Sequence, residues 1–454
     1  MEKKVNFKKI RKLQNIAPSR IIVFSFAIVI FLGSILLSLP ISSKSGESLG
    51  FFNSIFTSTS ATCVTGLTLY DTYENYTFFG QIIILILIQM GGLGIVTLAT
   101  FFSIIIGKKV GLKGMILAKE SVNNFNFPDV LSLIKKIVIV TISIELFGAL
   151  LLSLKLVPIF GVKGFYYGLF HSVSAFCNAG FDIMGPVDQS SLSNYFNDSL
   201  VLLTISSLTI IGGLGFVVWR DFYEFKKRKN VYLHTKIVLV ISIILIIIGT
   251  IFILNFEFYN SKTIGSMNTG NKILNAYFMS ISSRTAGFST FNIHDLSEIS
   301  KVFMVVLMFI GASSGSTGGG VKTSTFGIMI FAIISQIKGS ESTIIFKRKI
   351  PYSIVTKALT ISGLSMILII SITTLILVIE PNPFIDVLFL TTSAFGTVGL
   401  SPLPLNELGL FSKTLIIVTM FLGRVGPMTF GIALSLKSYK RKSAVYPEGK
   451  VLVG

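Results

Sequence analysis

The sequence predicts an all-α membrane protein. It reads as four copies of one unit, a span, a short helix that does not cross and a second span, giving eight transmembrane helices. Three observations carry this. The 454 residues are 52% hydrophobic and only 13% charged, about half the charged share of soluble domains, which excludes an ordinary cytosolic enzyme and, with such hydrophobicity, a disordered chain. Long apolar runs recur eight times. Four glycine-bearing segments recur at nearly equal spacing. Two cysteines and three histidines supply neither a disulfide framework nor a zinc-type cluster.

A bilayer core takes roughly 20 apolar residues per helix. Runs near 21–40, 78–106, 137–160, 199–219, 236–256, 301–334, 353–380 and 411–436 meet that length. Between the members of each successive pair lies a shorter apolar segment, near 51–62, 165–177, 273–283 and 384–396. These are too short to cross and fit re-entrant helices. The units are therefore 1–107, 108–225, 226–337 and 338–436, followed by a basic tail, 437–454. The basic start runs into the first apolar stretch with no small-residue cleavage site, so no cleaved leader is expected.

Of the 39 Lys and Arg, 29 fall in the two tails and the three longer connectors. Both termini and those connectors are expected on the cytoplasmic side. The net charge of +19 then reflects topology and attraction to anionic membrane lipid, with no nucleic acid partner. Of the 20 Asp and Glu, 12 fall outside, among them Asp71, Glu74, Asp182, Asp188, Asp295 and Glu407. They would concentrate cations at an outer mouth, or simply form solvated, charge-balanced loops.

Each short segment ends in a related string: Ser60-Ala61-Thr62-Cys63-Val64-Thr65-Gly66-Leu67, Ser174-Ala175-Phe176-Cys177-Asn178-Ala179-Gly180-Phe181, Ile281-Ser282-Ser283-Arg284-Thr285-Ala286-Gly287-Phe288 and Ser393-Ala394-Phe395-Gly396-Thr397-Val398-Gly399-Leu400. The glycines lie 114, 107 and 112 residues apart, and the Ser-Ala pair recurs in all but the third. A second element, Gly91-Gly92-Leu93-Gly94, returns as Gly212-Gly213-Leu214-Gly215 and as Gly423-Arg424-Val425-Gly426. Repeats of this length are supersecondary units, and four of them suggest a pseudo-fourfold ring around one ion pore.

Such a ring can carry a monovalent cation. Backbone carbonyls replace the hydration shell without adding net charge. Pointing consecutive carbonyls inward takes conformations that favour glycine. Short helices aiming their C-terminal ends at the axis favour a cation there. The residues before each glycine (Val64-Thr65, Asn178-Ala179, Thr285-Ala286 and Thr397-Val398) suit an extended strand. Tight turns in a helical bundle are the alternative for any one copy. Cys63 and Cys177, each three before its glycine, read as small buried fillers.

These strings look like degenerate potassium-channel filters on one polypeptide, and the chain over roughly 18–436 resembles the Trk/Ktr/HKT superfamily of potassium transporters, specifically its KtrB-type membrane subunit. Arg284 to Phe288, the glycine-rich loop of the third unit and Arg424 are the most specific points. The resemblance implies that Gly66, Gly180, Gly287 and Gly399 line the filter. It implies bacterial plasma-membrane potassium uptake, linked to sodium, with imperfect discrimination against sodium. It implies a homodimer resting on a separate cytosolic KtrA-type ring that binds the nucleotide. No cofactor is expected in this chain beyond the transported potassium, and possible sodium. The basic tail then contacts the ring or the twin subunit, or anchors to lipid. A less selective sodium/potassium carrier and, remotely, a membrane-embedded enzyme are the alternatives; the scattered His171, His234 and His294 argue against the latter.

In the third unit the second element becomes Gly311-Ala312-Ser313-Ser314-Gly315-Ser316-Thr317-Gly318-Gly319-Gly320. A membrane helix tolerates such glycine density poorly, at about 1 kcal/mol per Gly against Ala. Broken backbone at membrane depth survives where it lines a cavity or is buried in protein. Residues 311–323 thus read as a loop that blocks the path and moves aside, as the resemblance also implies, with a kinked, glycine-packed helix as the alternative. Arg424 lies deep in an apolar run, where a charge usually faces the bundle interior. It sets a barrier to cations or clamps carbonyls together, and the resemblance places it under the filter. Glu145 reads as a packing or ion-pair residue. Arg284 reads as a brace paired with an outer carboxylate.

Overall fold

The computed structural model describes residues 18–106, 115, 130–184, 192–340 and 342–434. The first 17 residues, most of the 108–129 connector, Asp188 and the tail from 437 lie outside the described residues. The rest is mostly helical. The first unit consists of α1 (Pro18–Ser38), the short α2 (Phe51–Cys63), α3 (Phe78–Leu93) and α4 (Ile95–Ile105). The second has α5 (Val130–Phe160), α6 (Lys163–Cys177), α7 (Ser199–Leu214) and α8 (Phe216–Arg228). The third has α9 (Leu233–Glu257), α10 (Thr269–Ser282), α11 (Glu298–Phe309) and α12 (Thr323–Ile337). A two-stranded hairpin, β1 (Ile344–Ile345) with β2 (Arg348–Lys349), precedes α13 (Tyr352–Ile379), α14 (Phe384–Gly396), α15 (Leu410–Val425) and α16 (Pro427–Leu434).

The opening helices α1, α5, α9 and α13 are uninterrupted and apolar. At 1.5 Å per residue each can cross a hydrocarbon core of about 30 Å. The second spans depart from the straight crossings expected of their apolar runs. They bend by 96°, 88° and 93° between α3 and α4, α7 and α8, and α15 and α16. The bends fall at Gly94, Gly215 and Gly426, with φ of 84°, 91° and 90°. Left-handed backbone interrupts the helical hydrogen-bond ladder, and glycine adopts it without a Cβ penalty. In the third unit the break widens to residues 310–322 between α11 and α12. Among the described residues, four straight helices and three bent pairs are therefore long and apolar enough to cross.

Small residues let the short helices seat deeply. Ser58 Oγ donates to the Ile30 carbonyl at 2.7 Å, Ser172 Oγ to that of Glu145 at 2.6 Å and Ser280 Oγ to that of Ile246 at 3.0 Å. Three residues on from each acceptor, Gly33, Gly148 and Gly249 leave room for the same serine oxygen. In the fourth unit Thr373 and Thr391 hydroxyls meet at 2.7 Å instead. Close small-residue contact backed by a polar bond is how membrane helices associate where no hydrophobic drive exists between them.

Contacts between units run in one direction. α3 packs on α6, α7 on α10, α11 on α14, and α15 returns to α2. A buried ion pair, Lys301 to Asp386 at 2.8 Å, ties α11 to α14.

Candidate ion-conduction site

The four strings converge where the short helices end. α2, α6 and α14 stop at Cys63, Cys177 and Gly396, and the next residue in each case turns left-handed: Val64 (φ 58°), Asn178 (61°) and Thr397 (51°). Thr285 holds the matching place after α10, at φ 86°. This corrects the expectation of extended backbone at these residues. The physical reason is a Schellman-type cap: the following N–H reaches back to the helix, from Thr65 to the Ser60 carbonyl at 2.8 Å, from Ala179 to Ser174 at 2.7 Å and from Val398 to Ser393 at 2.9 Å. In the third unit Ala286 N–H bonds Ser282 O at 3.0 Å, one register shorter. Left-handed backbone costs a β-branched residue about 1–2 kcal/mol, and such residues cluster at functional sites.

Two positions later Gly66, Gly180, Gly287 and Gly399 are left-handed again, at φ 91°, 70°, 82° and 96°. Each sits against the carbonyl preceding a glycine of another unit. A β-carbon on Gly66 would meet Ala179 O, on Gly180 Ala286 O, on Gly287 Val398 O and on Gly399 Thr65 O, all at under 3 Å. The contacts close a ring of four. Serines from the short helices strut it, a role the sequence reading missed although it noted the recurring Ser-Ala. Gly66 and Gly399 N–H groups donate to Ser60 and Ser393 Oγ at 3.1 Å each. Ser174 Oγ donates to Phe181 O at 2.8 Å, and Ser282 Oγ to Phe288 O. Ser282 serves although its unit lacks the Ser-Ala pair.

The side chain of Asn178 turns away from the ring. Its amide nitrogen donates to the Ala175 and Thr209 carbonyls at 3.1 and 3.2 Å and its oxygen accepts from Thr285 Oγ1 at 2.8 Å. Neighbouring strands of the second and third units are thus tied directly.

Beyond the ring opens a vestibule of about 970 Å³, lined by the four glycines and by Asp71, Glu74, Asp182, His294 and Glu407. Its described lining includes four carboxylates and no lysine or arginine. Asp295, expected nearby, does not line it. Burial, with the Asp182 and Glu74 carboxylates alongside, raises the Asp71 carboxyl above its usual range despite the Glu74 N–H it accepts. Asp182 is held from below by His171, whose Nε2 contacts its carboxylate while Nδ1 engages the Tyr167 carbonyl at 2.7 Å. Nothing in the sequence marked this pair; only the fold brings a helix residue to the loop 11 positions on. Asp71→Asn combined with Glu407→Gln is expected to raise the external cation concentration for half-maximal uptake about threefold at low salt and little at high salt. Flux measured across an ionic-strength series checks this.

Behind the ring lies the glycine-rich segment. Ile310 pairs with Val321, so residues 311–320 form a closed loop whose backbone is not helical. Gly318 and Gly319 abut Thr285 and Thr397, and the Gly319 N–H donates to Thr397 Oγ1 at 2.9 Å. Ser313 N–H bonds Gly213 O at 3.0 Å, Phe216 N–H bonds Gly315 O at 2.8 Å, and Thr317 Oγ1 donates to Phe176 O at 3.1 Å. Within the loop Ser316 Oγ bonds Ser313 O at 2.6 Å, and Ser314 Oγ meets Ser324 Oγ at 2.9 Å. Lys322 Nζ caps Gly318 O at 2.6 Å. A kinked helix is not what forms; Gly311 and Gly320 sit backbone to backbone at the loop's neck.

Arg424 fastens this loop. Its guanidinium donates to Thr317 O of the loop and to Gly91 O and, at 3.4 Å, Gly92 O of the first unit. It occupies the place that Gly92 and Gly213 hold in their own units. Arg284 is not paired with an outer carboxylate as expected: its Nη1 donates to Ser242 O at 3.4 Å, and its Nε has no partner among the described residues. The short helix places it behind the ring, facing α9, out of reach of the outer loops. Glu145 accepts from Gln89 Nε2 at 3.1 Å and lies 3.8 Å from Cys177 Sγ, a packing contact with no cation among the described residues. Cys63 and Cys177 are both buried and unbridged.

Residues 3–443 match the family model TrkH, described as a cation transport protein. The chain is 38% identical to the Ktr system potassium uptake protein B of Bacillus subtilis, covering 98% of this chain and 99% of that one. It is 37% identical to the potassium/sodium uptake protein NtpJ of Enterococcus hirae, with the same coverage. Its fold is similar to the crystal structure of the potassium transporter TrkH from Vibrio parahaemolyticus, at a TM-score of 0.71 and 18% identity over 92% of this chain and 84% of that one. These are transporters and not enzymes, and the chain, a multi-pass helical membrane protein, belongs to the TrkH family of cation transport proteins.

Proposed function

We propose that this chain is the potassium-translocating subunit of a bacterial uptake system. Its pore runs through the ring of Gly66, Gly180, Gly287 and Gly399. The single observation that carries the reading is the closure of that ring, each glycine against the carbonyl before another, at the floor of an acidic vestibule. Carbonyls of Val64, Thr65, Asn178, Ala179, Thr285, Ala286, Thr397 and Val398, with those of the glycines, form the filter. Four short helices direct their carbonyl ends at it, which favours a cation. Counting α11 and α12 as one interrupted span gives eight spans in pseudo-fourfold order, with both termini cytoplasmic in the inner membrane.

Residues 311–320 and Arg424 close the path beneath the filter. A separate cytosolic, nucleotide-binding partner opens it, and the chain works as a homodimer with sodium-linked uptake. The relatives named for potassium uptake support the ion. Restoration of growth at low external potassium in a bacterium lacking its own uptake systems tests the reading, with and without the regulatory partner. Failure of the well-expressed chain to restore growth in both settings refutes it.

A less selective sodium/potassium pathway is the second reading. One observation favours it: only two residues per strand are left-handed, and the vestibule opens directly beyond the glycine. The outer ring that further left-handed residues would build is lacking. Competition of sodium against rubidium uptake separates the two.

A further inference from the structure

We propose that α8 lies in the cytoplasmic membrane interface and binds anionic phospholipid headgroups. The bend of 88° at Gly215 turns it out of the direction of α7, so it runs along the membrane plane where α7 runs across it. Near its start it is held by the protein: Val218 and Asp221 are buried, the Tyr232 N–H donates to Asp221 Oδ2 at 2.8 Å, and Trp219 Nε1–H donates to Ile211 O at 3.2 Å. Past that contact the apolar face that Val218 begins is uncovered: Phe222 and Phe225, four and seven residues on, are exposed, as is Tyr223, which is 72% accessible. Aromatic rings on an amphipathic helix of this kind sit at headgroup level.

Charge decides which surface covers that face. The sequence of α8 runs into Lys226-Lys227-Arg228-Lys229. Lys136 of α5 adds its ammonium 5.0 Å above the Tyr223 ring, and Lys135 and Lys229 are exposed. The acidic residues of the helix are already engaged, Asp221 as above and Glu224 with Arg220 Nε at 2.7 Å. The sequence surplus of the helix is therefore cationic, and the Lys136 ammonium lies over one of its exposed rings. Each basic residue near an anionic leaflet contributes about 1 kcal/mol. This inference rests on the orientation given under the proposed function and not on the ion path, so loss of the filter assignment leaves it standing.

Trp219 is the chain's single tryptophan, and it lies on this helix. The test reconstitutes the full chain in phosphatidylcholine vesicles and titrates in brominated phosphatidylglycerol or brominated phosphatidylcholine. The expected result is that the anionic lipid quenches Trp219 at roughly fivefold lower mole fraction. Combining Lys136→Gln, Lys226→Gln, Lys227→Gln and Lys229→Gln should abolish that preference and leave quenching by brominated phosphatidylcholine intact. Phe222→Ser with Tyr223→Ser should weaken quenching by both lipids, in protein whose circular dichroism is unchanged. Equal quenching by the two lipids in the unaltered chain overturns the anionic site. Quenching by neither overturns the interfacial placement and gives the face to a protein partner. Unchanged behaviour in either variant overturns the proposal as well.

Discussion

Gly287→Ser is expected to cut potassium uptake by at least about tenfold and to narrow its preference over sodium and rubidium. Two effects act together. Gly287 sits at φ 82°, where an L side chain costs about 1–2 kcal/mol, so a factor of ten is within reach of backbone strain alone. A β-carbon there would also press on the Val398 carbonyl, one of the oxygens assigned to the ion. The displaced carbonyl, rather than the strain, is what should change selectivity. Gly66→Ser meets the Ala179 carbonyl in the same manner. Uptake assays over a series of alkali cations in well-expressed protein check this. A reduced rate with unchanged selectivity would assign the glycines to folding and remove them from the filter.

Arg424→Ala should act in the opposite direction, raising flux in the absence of any regulator by about tenfold. Its guanidinium joins Thr317 of the loop to Gly91 and Gly92 of the first unit. Hydrogen bonds from a charged group contribute about 1.5–3 kcal/mol each, and losing about 1.4 kcal/mol of preference for the closed loop raises the open fraction tenfold. Shortening 313–320 should do the same by removing the Ser313, Gly315 and Thr317 contacts with Gly212, Gly213 and Phe216. Equal or lower flux from either variant, at matched expression, would falsify the assignment of a gate.

Much of the fold was legible because its signals are local and repeated. Apolar runs gave the four straight helices and the three bent pairs, and the short helices fall close to where length alone put them, Phe51–Cys63 against 51–62 and Phe384–Gly396 against 384–396. The bends at Gly94, Gly215 and Gly426 were not foreseen. Hydropathy carries no direction, and the strings Gly-Gly-Leu-Gly and Gly-Arg-Val-Gly register as small residues inside an apolar run.

The candidate site divides in the same way. The four glycines stood out by spacing. The left-handed Val64, Thr285 and Thr397 did not, because β-branched side chains argue for extended backbone; the helix cap and the serine struts outweigh that preference. Arg284 misled because the sequence shows it shortly before an outer loop, whereas its side chain packs behind the ring against α9. The pairing of His171 with Asp182 depends on how a short helix and the strand after it fold back on each other, which no periodicity records.

The ring of glycines has one further consequence. A channel assembled from identical subunits must repeat any change in every copy at once. Here the four contributors are separate stretches of a single gene product and already differ, Val-Thr, Asn-Ala, Thr-Ala and Thr-Val before the glycine. Each quadrant can therefore be altered alone, by mutation or by design, and under the proposed function ionic preference is then adjustable in small steps where a symmetric assembly allows only large ones.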